Sequence, residues 1–148
     1  MADILVIDDE EEVREALKRR LEREGYRITT AASQREGIVA MAEASSPFDV
    51  IVTDMLMETP ESGIEIIKAA AERDIFTEVI VLTAYANVAN AVECMRRGAF
   101  DYVPKNIPGV DVYELLVMKI RQALEHSEEA QATFRRMQRL TKDIPGVE

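Results

Sequence analysis

Cysteine and histidine occur once each, as Cys94 and His126, and tryptophan does not occur at all. One thiol excludes an internal disulfide, and one thiol with one imidazole excludes a Cys/His zinc centre. A reducing cytoplasm is the setting that fits. Basic residues are also scarce, with 18 Lys and Arg against 28 Asp and Glu and a formal charge of -10. Such a chain is repelled by nucleic-acid phosphates and anionic lipid, which argues against direct nucleic-acid binding or a membrane surface as its partner. No apolar run approaches the ~20 residues of a membrane span, and a strand-like segment already begins at Ile4, so a soluble, untargeted chain is expected. At 148 residues the length suits one domain with at most an appendage. There is no internal repeat and no low-complexity segment.

What is present is a regular alternation. Short β-branched runs lie at Ile4 to Ile7, Tyr26 to Thr30, Val50 to Thr53 and Val79 to Thr83, with a weaker fifth at Phe100 to Val103. Helical patterns fill the intervals. Val13, Leu17 and Leu21 recur every fourth residue and stop at Gly25, and Ser33 with Glu36 makes a capping box opening a helix to about Ala44. Ile64, Ile67 and Ala71 mark a third helix; Val88, Val92 and Met95 mark a fourth, ending at Gly98; a fifth starts at Asp111 and runs past the length of the others. Strict strand–helix alternation predicts an α/β fold, a doubly wound five-stranded parallel sheet with helices on both faces. The runs ILVI, DVIVT and VIVL are apolar without alternation, as doubly covered central strands require; the second and fifth runs are mixed and suit the edges.

Ligands of such sheets bind at the carboxyl ends of the strands. Asp8 and Asp9 end the first strand, Asp54 the third and Thr83 the fourth, and Lys105 lies just past the fifth. Three converging carboxylates force a pKa upward unless a cation joins them. With oxygen donors alone, that cation is Mg²⁺ or Mn²⁺. Lys105 offers a point charge and Thr83 a hydroxyl to a phosphoryl group. The acidic run from Asp8 to Glu12 then divides in two: Asp8 and Asp9 serve the metal, while Glu10, Glu11 and Glu12 occupy the first turn of the next helix, where its dipole favours negative charge.

The DD after the first strand, the D closing FDVIVTD, the T of VIVLTAY and the K of GAFDYVPK resemble the receiver domains of two-component response regulators over roughly residues 2 to 126. The longer run LTAYANVANAVECMRRGAFDYVPK is most similar to receivers of enhancer-binding transcription activators. The resemblance implies a flavodoxin-like strand order 2-1-3-4-5, Asp54 as phosphoacceptor, and Mg²⁺ held directly by Asp9, largely through water by Asp8, and by Asp54 and the Leu56 carbonyl. It also implies that Thr83 and Tyr102 switch together, and that a sensor histidine kinase or phosphotransfer protein is the donor. The chain would then be a phosphoacceptor rather than an enzyme. Two positions depart from the family pattern: Asn106 replaces the proline that usually follows the lysine, and the Asp54 to Gly63 interval is one residue longer than usual, with Pro60 displaced. Without proline, the Lys105–Asn106 peptide is expected to be trans. Leu56 and Tyr85 are expected to shield a phosphoryl group and make its adduct long-lived.

Plainer roles are expected elsewhere. Met55 and Met57 fill gaps or cover the loop, Cys94 is inert, and His126 is a solvated helix residue. Two other functions compete: a Mg²⁺-dependent phosphohydrolase, which would want an acid where Leu56 stands, and a phosphate-independent dimerisation or scaffold module. The tail divides the chain into a receiver at residues 1–126 and a helical extension at 127–148. Tyr113, Leu116, Ile120, Ala123, Ser127, Ala130, Phe134, Met137, Thr141 and Ile144 follow a 3,4 spacing. Beyond His126 this seam has no sheet to cover, which predicts a coiled-coil homodimer, parallel rather than antiparallel, with the fourth and fifth elements relaying phosphorylation to it.

Overall fold

The computed structural model describes residues 1–142 and 144–146. Five strands alternate with five helices: β1 (Asp3–Ile7), α1 (Glu11–Arg23), β2 (Arg27–Ala31), α2 (Gln34–Glu43), β3 (Val50–Thr53), α3 (Ser62–Arg73), β4 (Glu78–Thr83), α4 (Val88–Arg96), β5 (Asp101–Pro104) and α5 (Val112–Lys142). The strands form one parallel sheet in the order β2-β1-β3-β4-β5, as expected. β2 and β5 each sit one residue later than their apolar runs suggest.

The absence of alternation in the central strands has a direct cause. Ile4 and Val6 of β1, Val50 and Val52 of β3, and Ile80 and Leu82 of β4 point to one face, where Leu17 and Leu21 of α1 and Leu116, Val117, Ile120 and Ala123 of α5 cover them. Leu5, Ile7, Ile51, Val79 and Val81 point to the other, against Met41 of α2, Ile64, Ile66, Ile67 and Ala70 of α3, and Cys94 of α4. Both faces need apolar side chains, and each fully buried Leu or Ile contributes roughly 1.5–3 kcal/mol. Helix ends follow their signals: Gly25 and Gly98 take φ of +95° and +101° after α1 and α4, and the Ser33 hydroxyl accepts from the Glu36 amide at 3.1 Å.

α5 outruns the sheet, yet its seam keeps contact with the domain past His126. Ser127 is buried and donates from its hydroxyl to the Phe76 carbonyl at 2.7 Å. Phe134 meets the Phe76 ring edge-on, with centroids 5.7 Å apart. Phe76 lies in the loop between α3 and β4, so α5 is held there by a residue outside the sheet. His126 is exposed, as expected, but its Nδ1 lies 3.1 Å from Glu78 Oε1 and its ring packs against Phe100. Past that clamp Met137, Leu140 and Ile144 are exposed. No helix among the described residues is long and apolar enough to cross a membrane.

Candidate functional site

Strand register builds the site. Ile7 of β1 is paired with Thr53 of β3, so the residues that follow, Asp8 and Asp54, leave the sheet side by side. The ladder carries on one step, with the Asp54 amide donating to the Ile7 carbonyl at 3.0 Å. On the other side Thr83 of β4 pairs with Pro104, and the Lys105 amide donates to the Thr83 carbonyl at 2.7 Å. Three strand ends thus deliver Asp8, Asp54 and Lys105 to one place.

Lys105 Nζ lies 2.8 Å from Asp8 Oδ2, 3.3 Å from Asp54 Oδ2 and 3.2 Å from Glu10 Oε1. Asp8 and Asp54 are buried, at 2% and 7% exposure, which makes these charge-assisted contacts far stronger than surface pairs. The Met55 amide donates to Asp54 Oδ1 at 2.7 Å and fixes the plane of the carboxylate. The Glu10 amide donates to Asp8 Oδ1 and the Arg14 guanidinium to the Asp8 carbonyl, each at 2.9 Å. Burial, then the negative charge of Asp8, push the Asp54 carboxyl above its ordinary range against the pull of Lys105. Burial works against the Lys105 ammonium too, but its bond to Asp8 and the charges of Asp54 and Asp8 outweigh it and hold the lysine above its usual value.

Asp8, Asp9, Glu10 and Asp54 each present an oxygen within 4.8 Å of the others. Four carboxylates facing one ammonium leave negative charge to be matched, and an all-oxygen donor set is the kind that Mg²⁺ takes. The site therefore fits such an ion on charge and chemistry. Glu10 departs from expectation: Glu11 and Glu12 lie in the first turn of α1, but Glu10 is the residue before it, makes no side-chain cap, and turns to Lys105. No local pattern reveals this contact, because Lys105 lies 95 residues further along the chain.

Around this centre, Thr83 is fully buried and its hydroxyl oxygen accepts from the Tyr85 amide at 3.3 Å. Tyr102 is half-buried against the α2–α4 core, and its hydroxyl accepts from the amide of Asn87, the residue capping α4, at 3.4 Å. Leu56 is half-buried, whereas Tyr85 is exposed. Met55 is buried and fills space between Gly63 and Cys94; Met57 packs at the core's margin. Cys94 is fully buried, its Sγ 3.6 Å from Met55 Sδ, and burial followed by the charge of Glu93 pushes its thiol to about 11, in keeping with an inert residue. No peptide bond among the described residues is cis, so Lys105–Asn106 is trans.

The longer loop between β3 and α3 is held at its base and at its middle. The Gly63 amide donates to the Met55 carbonyl at 2.9 Å, and a Cβ at Gly63 would lie 2.9 Å from Met55 Cα, so only glycine permits this approach. Midway along it Glu58 receives the Gln34 and Arg35 amides of α2 at 2.8 and 3.1 Å. Nothing in the sequence pairs Glu58 with α2.

Residues 4–117 match the response regulator receiver domain family. The acid tolerance regulatory protein ActR of Rhizobium meliloti is 32% identical over 125 residues, covering 84% of this chain and 63% of ActR. The regulatory protein AtoC of Escherichia coli is 37% identical over 120 residues, covering 80% of this chain and 25% of AtoC. This chain thus spans less than two thirds of the length of either relative. Among solved structures, the beryllofluoride-activated NtrC4 receiver domain dimer superposes with a TM-score of 0.75 at 33% identity, over 86% of this chain and 99% of that one. With that family match, the flavodoxin-like strand order and the strand-end carboxylates facing Lys105, the chain belongs to the response regulator receiver domain family.

Proposed function

We propose that this receiver accepts a phosphoryl group on Asp54 from a sensor histidine kinase, or from a phosphotransfer protein, and changes its interaction surface in response. The observation that carries this reading is the buried Asp54 carboxylate held beside Asp8 and 3.3 Å from the Lys105 ammonium. An Asp54 oxygen attacks phosphorus. A P–O bond forms as the P–N bond to the donor imidazole breaks, and the imidazole leaves neutral with that electron pair, its other nitrogen carrying the proton. Lys105 passes from Asp54 to the oxygens of the arriving group and offsets their charge. Thr83, whose oxygen accepts from Tyr85, donates its own hydrogen to one of them.

Asp8, Asp9, Asp54 and the Leu56 carbonyl would hold Mg²⁺, which when bound neutralises charge on the phosphoryl oxygens. Thr83 and Tyr102 form the switch. A Thr83 hydroxyl drawn toward the phosphoryl group leaves its place under the loop before α4, and the long Asn87–Tyr102 bond lets the ring follow. That loop borders the exposed Val88, Val92 and Met95 of α4.

The output is self-association. A parallel homodimer through α5 and its extension would cover Met137, Leu140 and Ile144, which the clamp at Phe76 leaves exposed. The NtrC4 receiver is a dimer, which supports self-association, and the likeness to the regulatory protein AtoC supports a regulatory role. The lone buried thiol suits the cytoplasm, and the charge of -10 argues against direct nucleic-acid contacts by this chain.

Incubation with acetyl phosphate and Mg²⁺ tests the acceptor. Intact mass should show one phosphoryl increment in the wild type and none in Asp54→Asn or with chelator. An increment that survives in Asp54→Asn removes Asp54 from the role.

A further inference from the structure

The loop between β3 and α3 begins at Asp54, and two of its braces differ in kind. Met55 is fixed from within the site's own layer by Gly63. Glu58 reaches out of it to α2, where its two oxygens take the Gln34 and Arg35 amides, 24 and 23 residues earlier in the chain. The rest of that helix start is already satisfied: the Ser33 side chain takes the Glu36 amide and the Ser33 carbonyl the Gly37 amide. Glu58 thus supplies the acceptors that the capping residue does not reach. Between the braces lie Leu56, whose carbonyl is read above as a cation ligand, and Met57, whose amide donates to the Thr59 carbonyl at 3.4 Å.

We propose that Glu58 is a positioning residue for the cation site: by tying the loop to the start of α2 it holds the Leu56 carbonyl in place for a divalent ion, and so links ion binding to that helix end. This rests on the reading of Asp8, Asp9, Asp54 and Leu56 as the ion's ligands. Groups that orient ligands from behind typically change metal affinity by about 10–100-fold when removed, because the ligand must then be ordered at the moment of binding. Linkage makes the effect reciprocal: an ion that prefers the braced loop must also strengthen the brace.

The test uses the full chain and Mn²⁺ as probe, with the free ion followed by electron paramagnetic resonance. Hydrogen exchange at the Gln34 and Arg35 amides is measured with and without the ion. Glu58→Ala should bind Mn²⁺ roughly tenfold more weakly and lose protection at both amides. Glu58→Gln, which keeps one acceptor oxygen, should fall between. Saturating Mn²⁺ should slow exchange of the two amides in the wild type but not in Glu58→Ala. Glu61→Gln removes an equal charge from the same loop without touching the brace; Glu61 makes no side-chain cap on α3. If Glu61→Gln weakens Mn²⁺ as much as Glu58→Ala, the effect is charge alone and the inference fails. If Glu58→Ala loses amide protection but binds Mn²⁺ as tightly as the wild type, Glu58 only caps a helix and the inference fails while the acceptor reading stands. If the wild type binds no Mn²⁺ at all, the ligand reading falls and takes this inference with it.

Discussion

Asp54 is ionised at the expense of the fold that holds it. Burial and Asp8 raise its native pKa above the unfolded value, so the folded state binds that proton more readily than the unfolded one. The ionised carboxylate therefore opposes folding at neutral pH, and the penalty fades as pH falls through the native value. Asp54→Asn should raise stability by ~1 kcal/mol in metal-free buffer at pH 7, a few degrees in Tm, with Lys105 still paired to Asp8 and Glu10. Urea unfolding with chelator present measures this, and a variant no more stable than the wild type contradicts it. The lifetime of the adduct is a second question at this scale. Leu56, two residues after Asp54, is half-buried against the core, while Tyr85 is 72% exposed. Leu56→Asn should speed self-dephosphorylation more than Tyr85→Ala, with the double variant fastest; unchanged decay in the double variant rules out shielding by either side chain. Asp8, Asp54, Thr83 and Lys105 could be found in the sequence because strand ends are marked by the end of an apolar run. The pairing of Glu10 with Lys105 and the capping by Glu58 could not, since both depend on where a loop travels rather than on local pattern.

The central strands were readable for the reason given by their burial: β1, β3 and β4 feed two cores at once, and few other patterns are apolar at every position. β2 and β5 drifted by one residue because an edge strand is covered less fully and its ends carry less signal. The tail is the more instructive case. Its 3,4 seam was plain, but the point where the domain releases it was not, since that depends on Phe76 in another element. An edge-to-face aromatic pair is worth about 0.5–1.5 kcal/mol beyond its buried area. A double-mutant cycle of Phe76→Leu and Phe134→Leu should return a coupling of that size in thermal or urea unfolding. Hydrogen exchange of amides near Phe134 should quicken in either single variant. Additive effects, with no change in exchange, show that the extension is not clamped there.

For the molecule as a whole, the covered and uncovered parts of α5 define what an assembly would use. Sedimentation of the full chain at tens of micromolar, with and without beryllofluoride and Mg²⁺, is expected to show more dimer in the presence of the phosphoryl mimic. Met137→Glu with Thr141→Glu should reverse it, because both positions belong to the 3,4 seam and each would place a charge there. Monomers under every condition refute the dimer and leave the acceptor chemistry untouched. That chemistry is the central claim, and borohydride trapping tests it most directly, because an aspartyl phosphate is reduced at the carbon that bears it. The phosphorylated full chain is reduced and mapped by peptide mass. The account predicts a reduced aspartyl side chain at position 54, dependent on Mg²⁺ and lost on prior chelation; reduction at Asp8, Asp9 or Glu10, or a phosphoryl group that maps to no carboxylate, would contradict it.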